Sequence, residues 1–502
     1  MNTNLTESQN DYAIYLPAVS TFYSNYIGRQ RNEEYVPKSR FPSFLNDMEE
    51  LNFFNSKQGL FQYNWALFSA GHAKLDIDKQ GNAEAMFYTR DKNSVLLADS
   101  GGFQIGKGVW TGKWNDSTDK EAEKRRSTVL KWLCHISDYS MCLDVPTWAY
   151  KDPEVADKIG IYSFEDAVNA TKYNNKYFIK NGTNNTKFLN VLQGADQTDS
   201  DIWYEEMKEF CDPSKYDNHF RGWAMGDQNV QDIQVLLRRI VHMIHDGLLE
   251  EGKQDWMHFL GMGKTEWGVL LTDIQRAVRK HHNPNFTISF DAASPFLSVV
   301  NGNVYYMNTT EDKKRWAFQT IHGADDRNWT TNNNLFNTIH SDFVDSPITE
   351  HLKISDICKY APDETNKHGK LTNTSWDTFS YMLLMTHNVW AHINSIQDAN
   401  RKYDEGNIPK ILANNGIPYY ITFKNILEEI FNAKTLEERL DAITYHEKVL
   451  SQIKGNRTKK INAEQQYNNQ FEGEWGDISI DMFSSATNAS VDKSTFNNLF
   501  TS

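Results

Sequence analysis

The chain has 502 residues, 39% hydrophobic and 13% aromatic, enough apolar material for a packed core, which excludes a disordered chain. Asp and Glu outnumber Lys and Arg by 66 to 52; the net charge of −14 excludes a globally basic nucleic-acid coat protein but not a local basic groove. The 4 cysteines form no Cys-x-x-Cys pair, no apolar run reaches the roughly 20 residues of a membrane span, and the start is polar. These features predict a reduced, cytoplasmic protein with no leader and no membrane partner.

Residues 1–60 read as an N-terminal extension with a polar start. Short β-type apolar runs follow at 65–69, 95–98, 139–143, 188–192, 221–225, 257–260 and 287–290. Their ends fall roughly 30–50 residues apart, the length of a βα unit. Between them, 122–135, 232–245 and 273–281 carry apolar residues at helical spacing. Continuous apolar runs suit a parallel sheet covered on both faces. This pattern points to a (β/α)8 barrel over 61–400, or to a large doubly wound sheet. Segments 373–400, 420–431 and 436–454 have helical patterning, so 401–502 reads as a helical C-terminal extension with a polar tail from about residue 472.

The chemistry collects where the runs stop. Asp99 opens Asp-Ser-Gly-Gly-Phe-Gln, Asp144 follows Ser-Met-Cys-Leu, and Gln193-Gly194 follows Asn-Val-Leu. Gly226-Asp227 follows Gly-Trp-Ala-Met, Gly261 and Gly263 follow His-Phe-Leu, and Asp291 follows Ile-Ser-Phe. In a β/α barrel these C-terminal strand ends meet on one rim, where active sites are built. An Asp ending a strand is also a common N-cap of the next helix. Repeated strand-end carboxylates beside glycine pairs favour a site instead, and two carboxylates suit chemistry at an anomeric carbon.

These blocks, in this order, resemble the tRNA-guanine transglycosylase superfamily. Asp99-Ser100-Gly101-Gly102-Phe103-Gln104 is similar to its signature hexapeptide. Val191-Leu192-Gln193-Gly194, Gly222-Trp223-Ala224-Met225-Gly226-Asp227, Phe259-Leu260-Gly261-Met262-Gly263, Phe290-Asp291 and His387-Asn388 resemble its later blocks. The resemblance implies a β/α barrel and a base exchange. Asp291 matches the nucleophile that attacks C1′, and Asp99 the general acid/base. Ser100 and Gly101 share the turn whose backbone N–H groups face the ligand. Asp144 matches the reader of the N1–H and 2-amino edge of guanine; Gln193 and the N–H of Gly222 match the groups holding its 6-oxo face. Met262 lies where a side chain stacks on the purine, and Asp227 stands where the family has Glu, near the 7-substituent. No cofactor is needed for that chemistry, and the target base must leave its stack.

The departures are informative. Of the family's Cys-x-Cys-x-x-Cys…His zinc set, Cys358 and His387 remain, while Lys353 and Ser355 fill the other cysteine positions. A structural zinc would have Cys358 and His387 as a partial ligand set here, with other residues needed to complete it. Asp291 is followed by Ala-Ala-Ser-Pro-Phe, without the arginines of the tRNA enzymes. With Tyr15-Leu16-Pro17-Ala18-Val19-Ser20 and the added C-terminal helices, the chain looks more like the phage DNA 7-deazaguanine transglycosylase branch. That branch implies DNA and a free 7-deazaguanine base as partners, protection of phage DNA from host nucleases, and action in the host cytoplasm. A tRNA substrate and a glycoside-hydrolase barrel are the alternatives; a homodimer is the family precedent. Candidate phosphate-contacting clusters are Lys120, Lys124, Arg125 and Arg126; Arg276, Arg279 and Lys280; and Lys454, Arg457, Lys459 and Lys460. Trp110 and Trp114 suit either a filler for the gap left by a flipped base or the anchor of a lid.

Overall fold

The computed structural model describes residues 2–78, 84–183, 185–311, 315–365, 371, 373–412 and 422–453. Eight strands form one all-parallel sheet: β1 (Ile14–Pro17), β2 (Trp65–Ser69), β3 (Val95–Asp99), β4 (Tyr139–Met141), β5 (Lys187–Leu192), β6 (Gly222–Met225), β7 (Trp256–Phe259) and β8 (Thr287–Ala292). Strands β2 to β8 pair in chain order and β8 pairs with β1. The last gap closes just beyond β1, where Ala18 bridges Leu67 and the Val19 N–H donates to the Leu67 carbonyl at 2.9 Å. The fold is a (β/α)8 barrel. Strands β6 and β7 are buried along their whole length, as continuous apolar runs require in a sheet covered on both faces.

The outer helices begin where the sequence supplies caps. Asp119, Ser163, Asp196 and Asp232 each accept backbone N–H bonds at the starts of Lys120–Ile136, Phe164–Asn181, Gln197–Met207 and Ile233–His245. Thr265–His281 follows β7 and is buried over most of its length.

The expected N-terminal extension needs correction, because residues 1–60 contain β1. Strand β1 is only four residues long and ends in Pro17. Proline cannot donate to a ladder, so the segment does not read as a central strand. Its place is set by long-range pairing, Leu16 opposite Asp291, and by the Tyr63 hydroxyl, which donates to the Tyr15 carbonyl at 2.6 Å.

After β8 the chain forms an antiparallel hairpin, β9 (Asn303–Thr309) and β10 (Ala317–His322). Helix Thr378–Asp404 then packs on Ser294–Val300 and Thr265–His281. Its N-cap Asp377 also receives Arg40 as a bidentate partner at 2.5 and 2.7 Å, tying the N-terminal segment to this layer. Helices Phe423–Asn432 and Leu436–Tyr445 continue the C-terminal layer against Thr265–His281 and Ile233–His245. The predicted polar tail and the cluster at Lys454, Arg457, Lys459 and Lys460 lie outside the described residues. No described helix is long and apolar enough to cross a membrane.

Candidate active site

The C-terminal strand ends surround a cleft of about 860 Å³ that opens to solvent. Asp99, Asp144, Gln193, Gly226, Asp227, Gly261 and Asp291 all line it, together with the apolar walls of Phe103, Trp148 and Leu260. Asp99 is not a helix cap, since the following helix Gly102–Gly106 begins from Gly101.

The two outer carboxylates differ in their partners. Asp291 is fully buried; its Oδ1 accepts from the Gly261 N–H at 2.9 Å and lies 3.1 Å from His258 Nε2. Its Oδ2 is buried without a partner among the described residues. Asp99 accepts from the Ser69 hydroxyl at 2.6 Å and from the Gly101 N–H at 3.3 Å. Burial raises the Asp99 pKa, the two hydrogen bonds oppose that rise, and the Asp291 charge adds to it. Asp99 therefore holds a proton more readily than an exposed aspartate, as a donor to a leaving group must.

Asp144 is buried, and desolvation with the charge of Asp99 pushes its pKa up to about 7. Gln193 spans two partners: its Nε2 donates to Asp144, and its Oε1 accepts from the Thr147 N–H at 2.9 Å. The amide orientation is thereby fixed, and a second N–H remains on Nε2. Asp227 sits at φ +49° and accepts from the Gly194 N–H at 3.3 Å and Thr147 Oγ1 at 3.4 Å. Burial raises it to about 6.

Glycines make room for this set at two points. Gly101 has φ +81°, and a Cβ there would stand 2.4 Å from the Trp110 ring. A Cβ on Gly102 would stand 2.6 Å from both the Asp144 carbonyl and Asp144 Oδ1. The Asp-Ser-Gly-Gly turn is thus the surface against which the Asp144 carboxylate rests.

Several expected site residues lie elsewhere. Gly222 is the first residue of β6, paired with Trp256 at the N-terminal end of the strand, so its N–H cannot reach the rim. Gly226, at the other end of β6, lines the cleft instead. Met262 is buried in the core and does not line the cleft; Leu260 does, because the loop after β7 turns Leu260 inward. The Ser100 hydroxyl donates to the Cys142 carbonyl at 2.9 Å, joining adjacent strand ends rather than facing the cleft. Gly101 supplies the turn and the N–H to Asp99, but does not itself line the cleft. Trp110 and Trp114 are buried, which makes them anchors of the loop after Gly102–Gly106.

The sequence reading missed Phe103, Gln104, Trp148 and His258 as site residues. Phe103 and Gln104 stood inside the quoted hexapeptide, and His258 lies two residues before Leu260 in a quoted neighbourhood. Gln104 lines the cleft with a buried Oε1 that has no partner among the described residues. Trp148 carried no periodicity or motif signal. His72 also lines the cleft, and burial lowers its pKa to about 4.

In the two described cationic clusters the arginines and Lys280 are engaged, while Lys120 and Lys124 are exposed. Arg276 is clamped by Asp11 and Asp404, Lys280 pairs with Glu428, and Arg279 donates to the Phe286 carbonyl. Arg126 is buried against Glu123 and Asn174. Arg125 lies 4.9 Å over the Trp110 ring, and Lys107 lies 5.6 Å and 5.7 Å over the Phe103 and Trp148 rings that line the cleft.

The residues left from the zinc pattern do not fit a metal site. His387 Nδ1 is 2.8 Å from Ser346 Oγ and its Nε2 is 2.7 Å from the Tyr305 carbonyl, so both ring nitrogens are engaged. The Cys358 thiol donates to the Ala324 carbonyl at 3.3 Å. Among the described residues no three His, Cys, Asp or Glu side chains are grouped to hold a metal ion.

No protein-family model matches the chain, and no curated protein matches it. The functional reading therefore rests on the residues and geometry of the cleft.

Proposed function

We propose that the protein is a base-exchange transglycosylase that removes guanine from DNA and installs a 7-deazaguanine in its place. The observation that carries this reading is the Asp291 carboxylate: Oδ1 is held by its donors, and Oδ2 has no partner among the described residues, in a cleft shared with Asp99, whose pKa burial raises. That is a nucleophile paired with an acid/base.

In the first half-reaction Oδ2 of Asp291 attacks C1′, the C1′–N9 bond breaks, and Asp99 gives its proton to the departing guanine. In the second, the incoming base returns a proton from N9 to Asp99, and N9 displaces the Asp291 oxygen from C1′. Atoms and charges balance with no external oxidant or reductant. Asp144 accepts from the N1–H and 2-amino group, and the second N–H of Gln193 serves the 6-oxo group. A guanine must flip out to reach the rim, where the rings of Phe103 and Trp148 offer stacking walls. Lys107 beside those rings supplies positive charge for a polyanion. The sequence departures after Asp291 favour DNA over tRNA.

The test supplies labelled guanine or 7-deazaguanines (nitrile, aminomethyl, amidino) with duplex DNA or with unmodified tRNA. Label retained in DNA by the wild type and lost in Asp291→Ala supports the proposal. Label in tRNA alone moves the substrate to tRNA. No label in either polymer overturns the base-exchange reading.

A further inference from the structure

Strand alternation places Trp256 and His258 of β7 on one face and Ser289 and Asp291 of β8 on the same face of the next strand, with Ser289 opposite His258 and Asp291 two residues further on. They form a buried line running from the barrel interior to the cleft. Trp256 Nε1 donates to Ser289 Oγ at 2.7 Å, Ser289 Oγ is 2.9 Å from His258 Nδ1, and His258 Nε2 is 3.1 Å from Asp291 Oδ1. Ser289, His258 and Asp291 are all fully buried.

The donor inventory favours one direction for this line. An indole N–H only donates, so Ser289 Oγ accepts from Trp256 and keeps its own hydrogen to give. Given to His258 Nδ1, that hydrogen leaves the ring proton on Nε2, aimed at Asp291. The Gly261 N–H meets the same oxygen at 2.9 Å, so two donors converge on Oδ1 and none on Oδ2. The opposite tautomer would set a nitrogen lone pair against the carboxylate.

We propose that His258 is a positioning residue, held by Ser289 and Trp256 as the neutral Nε2–H tautomer, that locks Asp291 with Oδ2 toward C1′. The line also separates the roles of the two carboxylates. Asp291 is gripped through one oxygen and presents the other, whereas Asp99 is held by a hydroxyl and a longer N–H bond and exchanges protons. The effect on rate rests on the base-exchange reading; the tautomer and its partners do not.

Two measurements separate these. The first is nitrogen NMR of protein labelled in histidine, with the His258 signals assigned by their loss in His258→Gln. A protonated Nε2 with an unprotonated Nδ1 is expected, and Ser289→Ala should disturb that pattern. A protonated Nδ1, with Nε2 bare or also protonated, overturns the proposal whether or not the protein exchanges bases. The second is the kinetics of exchange. His258→Leu should lower kcat about 10²-fold, as loss of one preorganised donor does, with KM for the free base within twofold. His258→Gln, whose Nε2 reaches the position of the imidazole Nε2–H, should recover most of that loss, and Ser289→Ala should fall between. Equal loss in the Leu and Gln variants, or a loss confined to KM, overturns the positioning role. Wild-type protein with the expected tautomer but no exchange would sink the base-exchange reading and leave the tautomer assignment standing.

Discussion

Gly102→Ala tests the edge-reading role of Asp144 through a single methyl group. Gly102 has no left-handed φ, so alanine fits the backbone at the start of helix Gly102–Gly106. The new Cβ would stand 2.6 Å from the Asp144 carbonyl and Oδ1, roughly 0.8 Å inside the 3.4 Å at which ordinary contact begins. One of those atoms is backbone, so a side-chain rotation alone does not relieve the clash. Overpacking of this kind costs about 1–3 kcal/mol of stability. A carboxylate moved by roughly 0.8 Å stretches a 2.8 Å hydrogen bond to about 3.6 Å, where it ceases to be one. Two charge-assisted bonds at about 1.5–3 kcal/mol each would then be lost, or ~10²–10⁴-fold in affinity. The assay is calorimetric binding of guanine and of a 7-deazaguanine, with thermal melting as the control for folding. A folded Gly102→Ala protein that binds the base within twofold of wild type would refute Asp144 as the reader of the purine edge.

Three further outcomes are expected. The Ser69 hydroxyl lowers the pKa of Asp99, so Ser69→Ala should move the alkaline fall of kcat/KM for DNA to higher pH; an unmoved profile in an active variant would exclude Asp99 as the proton donor. Burial raises Asp144 to about 7, so this group contributes stability at low pH that is lost as pH rises through about 7. Asp144→Asn should therefore stabilise the free protein by up to about 4 kcal/mol at pH 8 and far less at pH 4, as thermal melts at the two pH values would show. The same variant should bind guanine more weakly and lose the wild type's gain in affinity as pH rises toward 8. Arg276→Ala should leave DNA affinity unchanged within twofold in a salt titration and cost at most about 1 kcal/mol of stability, because this arginine is spent on the partly exposed Asp11 and Asp404.

The sequence by itself determined seven of the eight parallel strands and the residues that stand at their ends, leaving a barrel or a doubly wound sheet. Seven apolar runs, six of them stopping at Asp, Gln or Gly, foreshadowed β2 to β8, because a parallel strand buried on both faces leaves an unbroken apolar signature. Asp99, Asp144, Gln193, Asp227 and Asp291 were legible because each stands where such a run stops, and the barrel brings those ends to one rim. Only the tertiary structure decided the rest. β1 is four residues long and is defined by its partner strand rather than by its own pattern. Which end of β6 faces the rim exchanged Gly222 for Gly226, and the direction of the loop after β7 exchanged Met262 for Leu260. Trp148 reaches the cleft from a loop with no periodicity to announce it. The line from Trp256 through Ser289 and His258 to Asp291 depends on the register of two strands whose residues are some thirty apart in the chain. Local sequence encodes burial and caps, but which side chains meet across neighbouring strands is set by register, and register is settled only when the barrel closes.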